Sequence, residues 1–579
     1  MGLKPLLRLL AVTSAILHVL ALVPSSPTRR DVNADGLDER ARHDAVVDLG
    51  YAKYLGVFSA ETDVTNFLGV RFAAAPEGDL RWQAPQPPTQ IEGIQDASRQ
   101  PPLCHQGTMG GAPTSPWLSP EIELKDEGMN KMRRQEHLSQ SEDCLFLNVH
   151  VPRFELKNNN GKRLPVVVWI HGGGYMAGNA AIYDGTHLVH LSNQRVIAVV
   201  LQHRLGLFGF LSGNEVKNRG KLNAGLLDQE FALKWVQEHI HKFGGDPKQV
   251  TIWGESAGAG SVLQHIVAHD GKTSPPLFKY GITSSAFLPP HYAYDHTKPQ
   301  TLYEQVVARA GCGNEEDTLT CLRSTDPATL AEINIALLAA DITGSFAFAP
   351  VIDGEFSTQS PSAALRQGKT NGVGLLAITN SDEGYPLVLG INGNLTLAEY
   401  TRNYFHQLSV DEAERVAGMY EGPGKTTFER ISQIQAEAVF VCPSLLLLDS
   451  FTKSRKPAWK GQFAVTPGWH AQDVSYYFKG LSLIIGAPPV FEADGFVDSF
   501  ARPFLNFAVL GDPNTQVDKS VQKNPHWPQY QHKKASLREM YFGQSEDGER
   551  ADVGVRDVDS EGLLERCRVW AELVEKTAQ

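Results

Sequence analysis

Val250-Thr251-Ile252-Trp253-Gly254-Glu255-Ser256-Ala257-Gly258 is the stretch on which the reading of this chain turns. Its first four residues are mostly β-branched or aromatic, the pattern of a strand buried on both faces. A helix begins near Ala257. Between strand and helix sits a Gly-x-Ser-x-Gly turn, in which flanking glycines let two backbones pack closely while the serine hydroxyl is pushed outward. The helix N-terminus beneath Ser256 favours negative charge developing there. A capping serine in a glycine-rich turn would carry the same letters, so the reading needs partner groups elsewhere. Glu255 either faces a pocket or is solvated in the turn.

Those partners lie on both sides. Upstream, the strand-like run Val166 to Ile170 leads into His171-Gly172-Gly173-Gly174-Tyr175, whose glycines can aim backbone N–H groups inward. Acyl transfer builds charge on a carbonyl oxygen, and each aligned donor supplies about 3 kcal/mol of transition-state stabilisation. The expected donors are the N–H groups of Gly173, Gly174 and Ala257. A phosphate-binding loop is the rival, and neither GKS/GKT nor G-x-G-x-x-G accompanies these glycines. Downstream, a serine nucleophile needs a base and the base an orienting acid, which in an α/β-hydrolase follow in the order Ser, acid, His. Glu383, in Asn380-Ser381-Asp382-Glu383-Gly384, follows the strand-like run Val373 to Ile378. His470, in Gly468-Trp469-His470-Ala471-Gln472-Asp473, follows Gln462 to Val465. Asp382 and Asp473 are the rival acids. His265 and His269 imitate a metal pair without the glutamate of H-E-x-x-H, and no metal is expected.

Around the turn, strands Val166 to Ile170, Val196 to Leu201, Val250 to Trp253 and Val373 to Ile378 alternate with helices such as Ala224 to Phe243. That alternation predicts an α/β protein, a large, mostly parallel sheet with helices on both faces and helical insertions, and the Gly-x-Ser-x-Gly turn between strand and helix points to the α/β-hydrolase fold. Across 579 residues, 42% hydrophobic and 20% charged content describe a globular chain with ample core. A net charge of −12 without long basic runs argues against nucleic acid as a partner.

Lys4 and Arg8 ahead of an apolar run from Leu9 to Val23, broken by Pro24, read as a signal peptide over 1–25. Residues 26–48 read as a flexible lead-in, and 49–579 as a single catalytic domain. In the lead-in, Asp31, Asn33, Asp35 and Gly36 imitate a calcium loop, but Arg42 stands where a bidentate Glu is required. No later stretch is expected to span a bilayer, so the protein is expected to be secreted and extracellular with no stable membrane anchor. Six cysteines without a C-x-x-C pair fit structural disulfides in an oxidising compartment, and residue spacing leaves the connectivity open. Asn394-Leu395-Thr396 is a glycosylation acceptor triplet.

Together these residues resemble the type B carboxylesterase/lipase family, which includes cholinesterases and, closer in style, secreted fungal esterases and lipases. The resemblance runs from about Gly50 to about Val574. It is carried by Phe67-Leu68-Gly69-Val70-Arg71-Phe72-Ala73, Gly78-Asp79-Leu80-Arg81-Trp82, Ser141-Glu142-Asp143-Cys144-Leu145-Phe146-Leu147-Asn148, Asn223-Ala224-Gly225-Leu226-Leu227-Asp228-Gln229, the Ser256 turn, and Gly511-Asp512-Pro513-Asn514 before Trp527-Pro528. It implies a triad of Ser256, Glu383 and His470, with glutamate preferred over Asp382, and an oxyanion site at Gly173, Gly174 and Ala257. It also implies bracing pairs Arg81 with Glu142 and Arg204 with Asp228. The implied disulfides are Cys104-Cys144, Cys312-Cys321 and, as in cholinesterases, Cys442-Cys567. Ala471 departs from the glycine that usually follows the histidine.

The reading is hydrolysis of a small-molecule or lipid ester through an acyl-enzyme, without a cofactor. An esterase is favoured over an interfacial lipase or sterol-ester hydrolase, because Trp117, Leu118, Ile122, Leu124, Met129 and Met132 between Cys104 and Cys144 are interleaved with charges. The competing class is a non-catalytic, cholinesterase-like binding ectodomain.

Overall fold

Along Leu164–Ile170, Val166, Val168 and Ile170 enter one apolar layer while Val167 and Trp169 enter another, all fully buried. Side chains alternate across the pleat, so a strand apolar at every position must be covered on both faces. The neighbouring Ile197–Leu201 divides in the same way, with Ile197, Val199 and Leu201 on one side and Ala198 and Val200 on the other. The computed structural model describes residues 45–114, 139–152, 163–391, 394–483, 488–518, 524–531, 537–558 and 562–579. The expected signal segment, the calcium-like run Asp31 to Arg42 and the residues Trp117 to Met132 between Cys104 and Cys144 lie outside the described residues.

Three short strands, β1 (Val46–Asp48), β2 (Lys53–Leu55) and β5 (Ile94–Asp96), make a small sheet. Eleven others make the large one: β3 (Val57–Ser59), β4 (Val64–Arg71), β6 (Phe146–Pro152), β7 (Leu164–Ile170), β8 (Ile197–Leu201), β9 (Gly245–Glu255), β10 (Tyr280–Ser284), β11 (Gly374–Asn380), β12 (Ala458–Ala464), β13 (Arg538–Gln544) and β14 (Ala551–Asp557). Their spatial order is β14-β13-β12-β11-β10-β9-β7-β8-β6-β4-β3. The run from β13 to β8 is parallel, and antiparallel pairs finish both sides. Parallel neighbours require crossover connections, and the helices in those crossovers supply the two covering layers.

Three expectations need correction. The lead-in does not run to Asp48: Val46–Asp48 pairs antiparallel with Lys53–Leu55, and Val47 is buried against the core. A three-residue strand among charged neighbours has too short a pattern to announce itself. Second, one later segment is long and apolar enough to cross a membrane. It runs through Thr427–Lys453, and 78% of its most apolar stretch is buried inside the protein. It is apolar because it is a core helix. Third, His265 and His269 do not share a regular helical face, because Ala268, His269 and Asp270 leave helical geometry within Ala257–Gly271.

Disulfides join Cys104 to Cys144, Cys312 to Cys321 and Cys442 to Cys567. Bidentate pairs of buried side chains connect Arg81 to Glu142 and Arg204 to Asp228. Asn394 is exposed, just ahead of Thr396, which caps the helix Leu397–Tyr404. The Cys442-Cys567 bridge spans 125 positions. Replacing both cysteines by serine is therefore expected to cost about 4 kcal/mol in reversible unfolding. Thiol titration of the denatured, unreduced protein should find none free; free thiol at those two positions would remove the bridge.

Candidate active site

Ser256 sits where β9 ends and the helix Ala257–Gly271 begins, with φ 55° and ψ −125°. A non-glycine residue there costs about 1–3 kcal/mol and is held only by over-determined surroundings. Those surroundings are visible at the two flanking glycines. A Cβ on Gly254 would stand 2.3 Å from the Gly258 carbonyl carbon, and one on Gly258 only 2.0 Å from the Ile170 oxygen. The helix thus rides directly on the ends of β9 and β7, and the turn between them is forced tight. The Ser256 N–H donates to Ser284 O on β10 at 3.0 Å, which pins the turn to its neighbour.

His470 lies beyond the end of β12. Its N–H donates to Asp382 O and Asp382 N–H to Gly468 O, so the loops after β11 and β12 are bonded to each other. Ala471 keeps φ +64°, a conformation that normally favours glycine, and the alanine leaves the histidine loop in that geometry. The imidazole Nε2 is 2.9 Å from Ser256 Oγ, and Nδ1 is 2.6 Å from Glu383 Oε2. Glu383 is fully buried, and its other oxygen accepts from Asn380 N–H at 2.6 Å and Ser285 Oγ at 2.7 Å. Asp382 turns its carboxylate to Ser432 Oγ and Tyr385 N–H instead. Asp473 is fully buried and accepts from Asn380 Nδ2 at 3.1 Å. Ser256, His470 and Glu383 are therefore brought into one hydrogen-bonded line, and the two rival aspartates stand beside it.

The loop after β7 closes over the turn. A Cβ on Gly172 would lie 3.1 Å from Ser256 Cβ. Gly173 and Gly174 adopt φ +102° and +63°, and a Cβ on Gly174 would overlap the Phe346 ring at 2.1 Å. Gly173, Gly174 and the first helical residue, Ala257, thus bracket the serine with backbone groups and no side chain beyond a methyl.

Glu255 does not face solvent. It is 1% exposed, with Oε1 3.3 Å from His470 Nε2. Burial, with Asp473 and Glu383 adding to it and His470 opposing, pushes its carboxyl up to about 8. Burial likewise lifts Asp473 to about 6. For His470, burial pulls the imidazole down, but the Glu383 hydrogen bond and the charges of Glu255, Glu383 and Asp473 outweigh it and leave it raised. A general base must be neutral, so His470 in that role would make activity rise with pH through this raised value. Glu255→Gln removes a carboxyl that ionises only toward the upper part of this range, and the acid limb of kcat/KM is expected to move modestly to lower pH. A limb that stays in place would mean that Glu255 remains protonated beside His470 throughout. The stability linkage has its own sign: stability tied to the Glu255 carboxyl is full below its ordinary 4.5 and is lost as pH rises through about 8.

Reading residue patterns missed an aromatic wall. The Phe440 ring packs on the His470 imidazole with centroids 4.5 Å apart, Phe287 lies 5.4 Å from Phe440, and Phe346 lies 5.1 Å from Phe287. These rings come from three distant segments with no shared motif. Ser285, which helps hold Glu383, was missed for the same reason, whereas Asn380 stands in the segment of Glu383 itself and its part emerges only from the folded turn. His265 and His269 are bonded to Gln229 and Glu230, so their ring nitrogens serve the packing of two helices. Among the described residues, no cluster of His, Cys, Asp and Glu has the grouping of a metal site.

A serine hydroxyl on a strained strand-to-helix turn, facing an imidazole and a glycine loop, is the equipment of a serine hydrolase. Residues 44–552 match the model of the carboxylesterase family, and the chain belongs to that family. It is 30% identical to Secreted lipase 1 of Botryotinia fuckeliana, over 89% of this chain and 92% of that one. It is also 30% identical to Carboxylesterase 1E of Mus musculus, over 86% and 89%. The crystal structure of Aspergillus niger EstA superposes with a TM-score of 0.77 at 27% identity, covering 92% of this chain and 99% of that one. The fold is that of the α/β-hydrolases, and the chain is a carboxylic ester hydrolase of the acyl-enzyme type.

Proposed function

We propose that Ser256 is the nucleophile, His470 the general base and Glu383 the orienting acid of a secreted esterase that prefers short or medium acyl chains. The observation that carries the assignment is the unbroken line Ser256 Oγ, His470 and Glu383, with bonds of 2.9 and 2.6 Å. His470 takes the Ser256 proton as Oγ attacks the ester carbonyl, and the oxyanion enters the site formed by the Gly173, Gly174 and Ala257 N–H groups. His470 then protonates the leaving alcohol. Water repeats the cycle on the acyl-enzyme and frees the acid. Glu383 fixes the tautomer and stabilises the imidazolium. No step calls for a metal or cofactor, and the chain from about Ala45 onward acts as one catalytic domain. A fluorophosphonate probe should label the active protein once, on the peptide holding Ser256. Label on another residue, or none on protein that hydrolyses esters, would overturn the assignment.

Secretion is supported by the charged-then-apolar leader, the three disulfides and relatives named as secreted. Glycosylation at Asn394 is part of the same reading, since that side chain is exposed. The preference for modest acyl chains rests on the close wall of Phe287, Phe346 and Phe440 and on the charges interleaved along the loop between Cys104 and Cys144. Interfacial attachment scales with buried apolar area, and the sequence of that loop interrupts its apolar residues with charged ones. A lipase is the second reading, favoured by a 29% identical relative named as a secreted triacylglycerol lipase. Activity against one triglyceride is expected to rise smoothly through its solubility limit. A steep jump there, lost when Trp117 and Leu118 become Ser, would favour the lipase.

A further inference from the structure

The aromatic wall stands on an irregular piece of helix. Between the helices Thr427–Ala436 and Cys442–Lys453, residues Glu437–Val441 form a π-turn, and the Cys442 N–H reaches back five residues to Glu437 O. The next donor in that register would serve Ala438 O, and in an ordinary α-turn it would serve Val439 O. That next residue is Pro443, which has no N–H. Two carbonyls beneath Phe440 therefore need donors from outside the helix, because an unpaired buried carbonyl is costly.

Both donors come from other segments. Leu288 N–H donates to Val439 O at 2.9 Å. Ala438 O accepts from the side-chain amide of Gln579 at 2.8 Å, and the same Nε2 donates to Leu288 O at 2.6 Å. Gln579 is 4% exposed, and its segment is held by a bond from His291 N–H to Ala578 O. One amide group thus ties the residue after Phe287 to the residue two before Phe440. The two rings it secures lie against each other, and Phe440 lies against His470.

We infer that Gln579 is a positioning residue for ester hydrolysis: its amide locks the Phe287 and Phe440 backbones together and so sets the width of the acyl site and the seat of the His470 ring. This rests on the assignment of His470 as the base. Gln579 lies far from the Ser256 turn in sequence and touches neither Ser256 nor His470, so its effect must pass through the wall. Gln579→Met keeps the length and bulk of the side chain and removes both donors. Loss of two buried hydrogen bonds should let the wall relax, which harms small acyl groups that need a close fit and spares larger ones.

The test compares kcat/KM for p-nitrophenyl acetate and p-nitrophenyl octanoate in full-length wild type and Gln579→Met. The acetate value is expected to fall about tenfold, and the octanoate-to-acetate ratio to rise about threefold or more. Gln579→Asn, polar but too short to bridge both carbonyls, should change the ratio in the same direction and replaces the Met variant if that one does not fold. An unchanged ratio in folded variants, whether the rates stay level or fall by one common factor, would overturn the inference and leave Gln579 a purely structural residue. A wild type that is inert and unlabelled by fluorophosphonate would instead bring down the triad assignment on which it stands.

Discussion

Ser256→Ala should abolish ester hydrolysis, with turnover falling by a factor of about 10⁵ or more while the unfolding transition stays in place. The hydroxyl is the only group removed. The turn that strains Ser256 is imposed by the contacts of Gly254 and Gly258 and not by the side chain. His470→Gln should do nearly as much damage, because triad members act as a unit and the remaining rate belongs to the oxyanion donors. The measurement is single-turnover hydrolysis of an activated ester on protein of verified fold. Retention of more than about one hundredth of wild-type turnover in either variant would take the nucleophile or base away from these residues.

The second large effect separates two adjacent acids. Glu383→Gln should lower kcat by about 10³ to 10⁴, since a neutral amide facing Nδ1 admits the wrong tautomer. Asp382→Asn should stay within about threefold of wild type, because its carboxylate bonds Ser432 Oγ and Tyr385 N–H while only its backbone oxygen reaches His470. The reverse pair of results would move the acid by one position.

The centre of the sheet was legible because two of its strands, Val166 to Ile170 and Val196 to Leu201, carry apolar residues at every position, a pattern that burial on two faces imposes. Boundaries were less legible. β9 begins at Gly245, five residues ahead of the apolar run, because it pairs with β7 as far back as Leu164. The Ser256 turn and the glycine loop stood out since their steric demands fall on adjacent residues. Where Glu255 points could not be read that way: a carboxylate in a turn looks solvated until the loops bearing His470 and Asp473 are seen to cover it. The break at Ala268 to Asp270 was hidden for a similar reason, as its residues carry no proline and the deviation is set by packing against Phe356, whose carbonyl takes the His269 N–H. Phe287, Phe346, Phe440 and Gln579 belong to no local pattern at all. Only the folded chain makes them neighbours.

The hydrogen-bonded line has a consequence for how the protein comes into being. Ser256 and His470 are 214 positions apart, and His470 and Glu383 are 87 apart. Contacts at such range close late, after the strands that carry them have docked side by side. As synthesis proceeds, the segment with Ser256 emerges long before the one with His470, so the newborn chain carries an ordinary, unreactive alcohol. Chemistry switches on only when β12 takes its place beside β11, which makes the appearance of activity a report on the docking of those two strands.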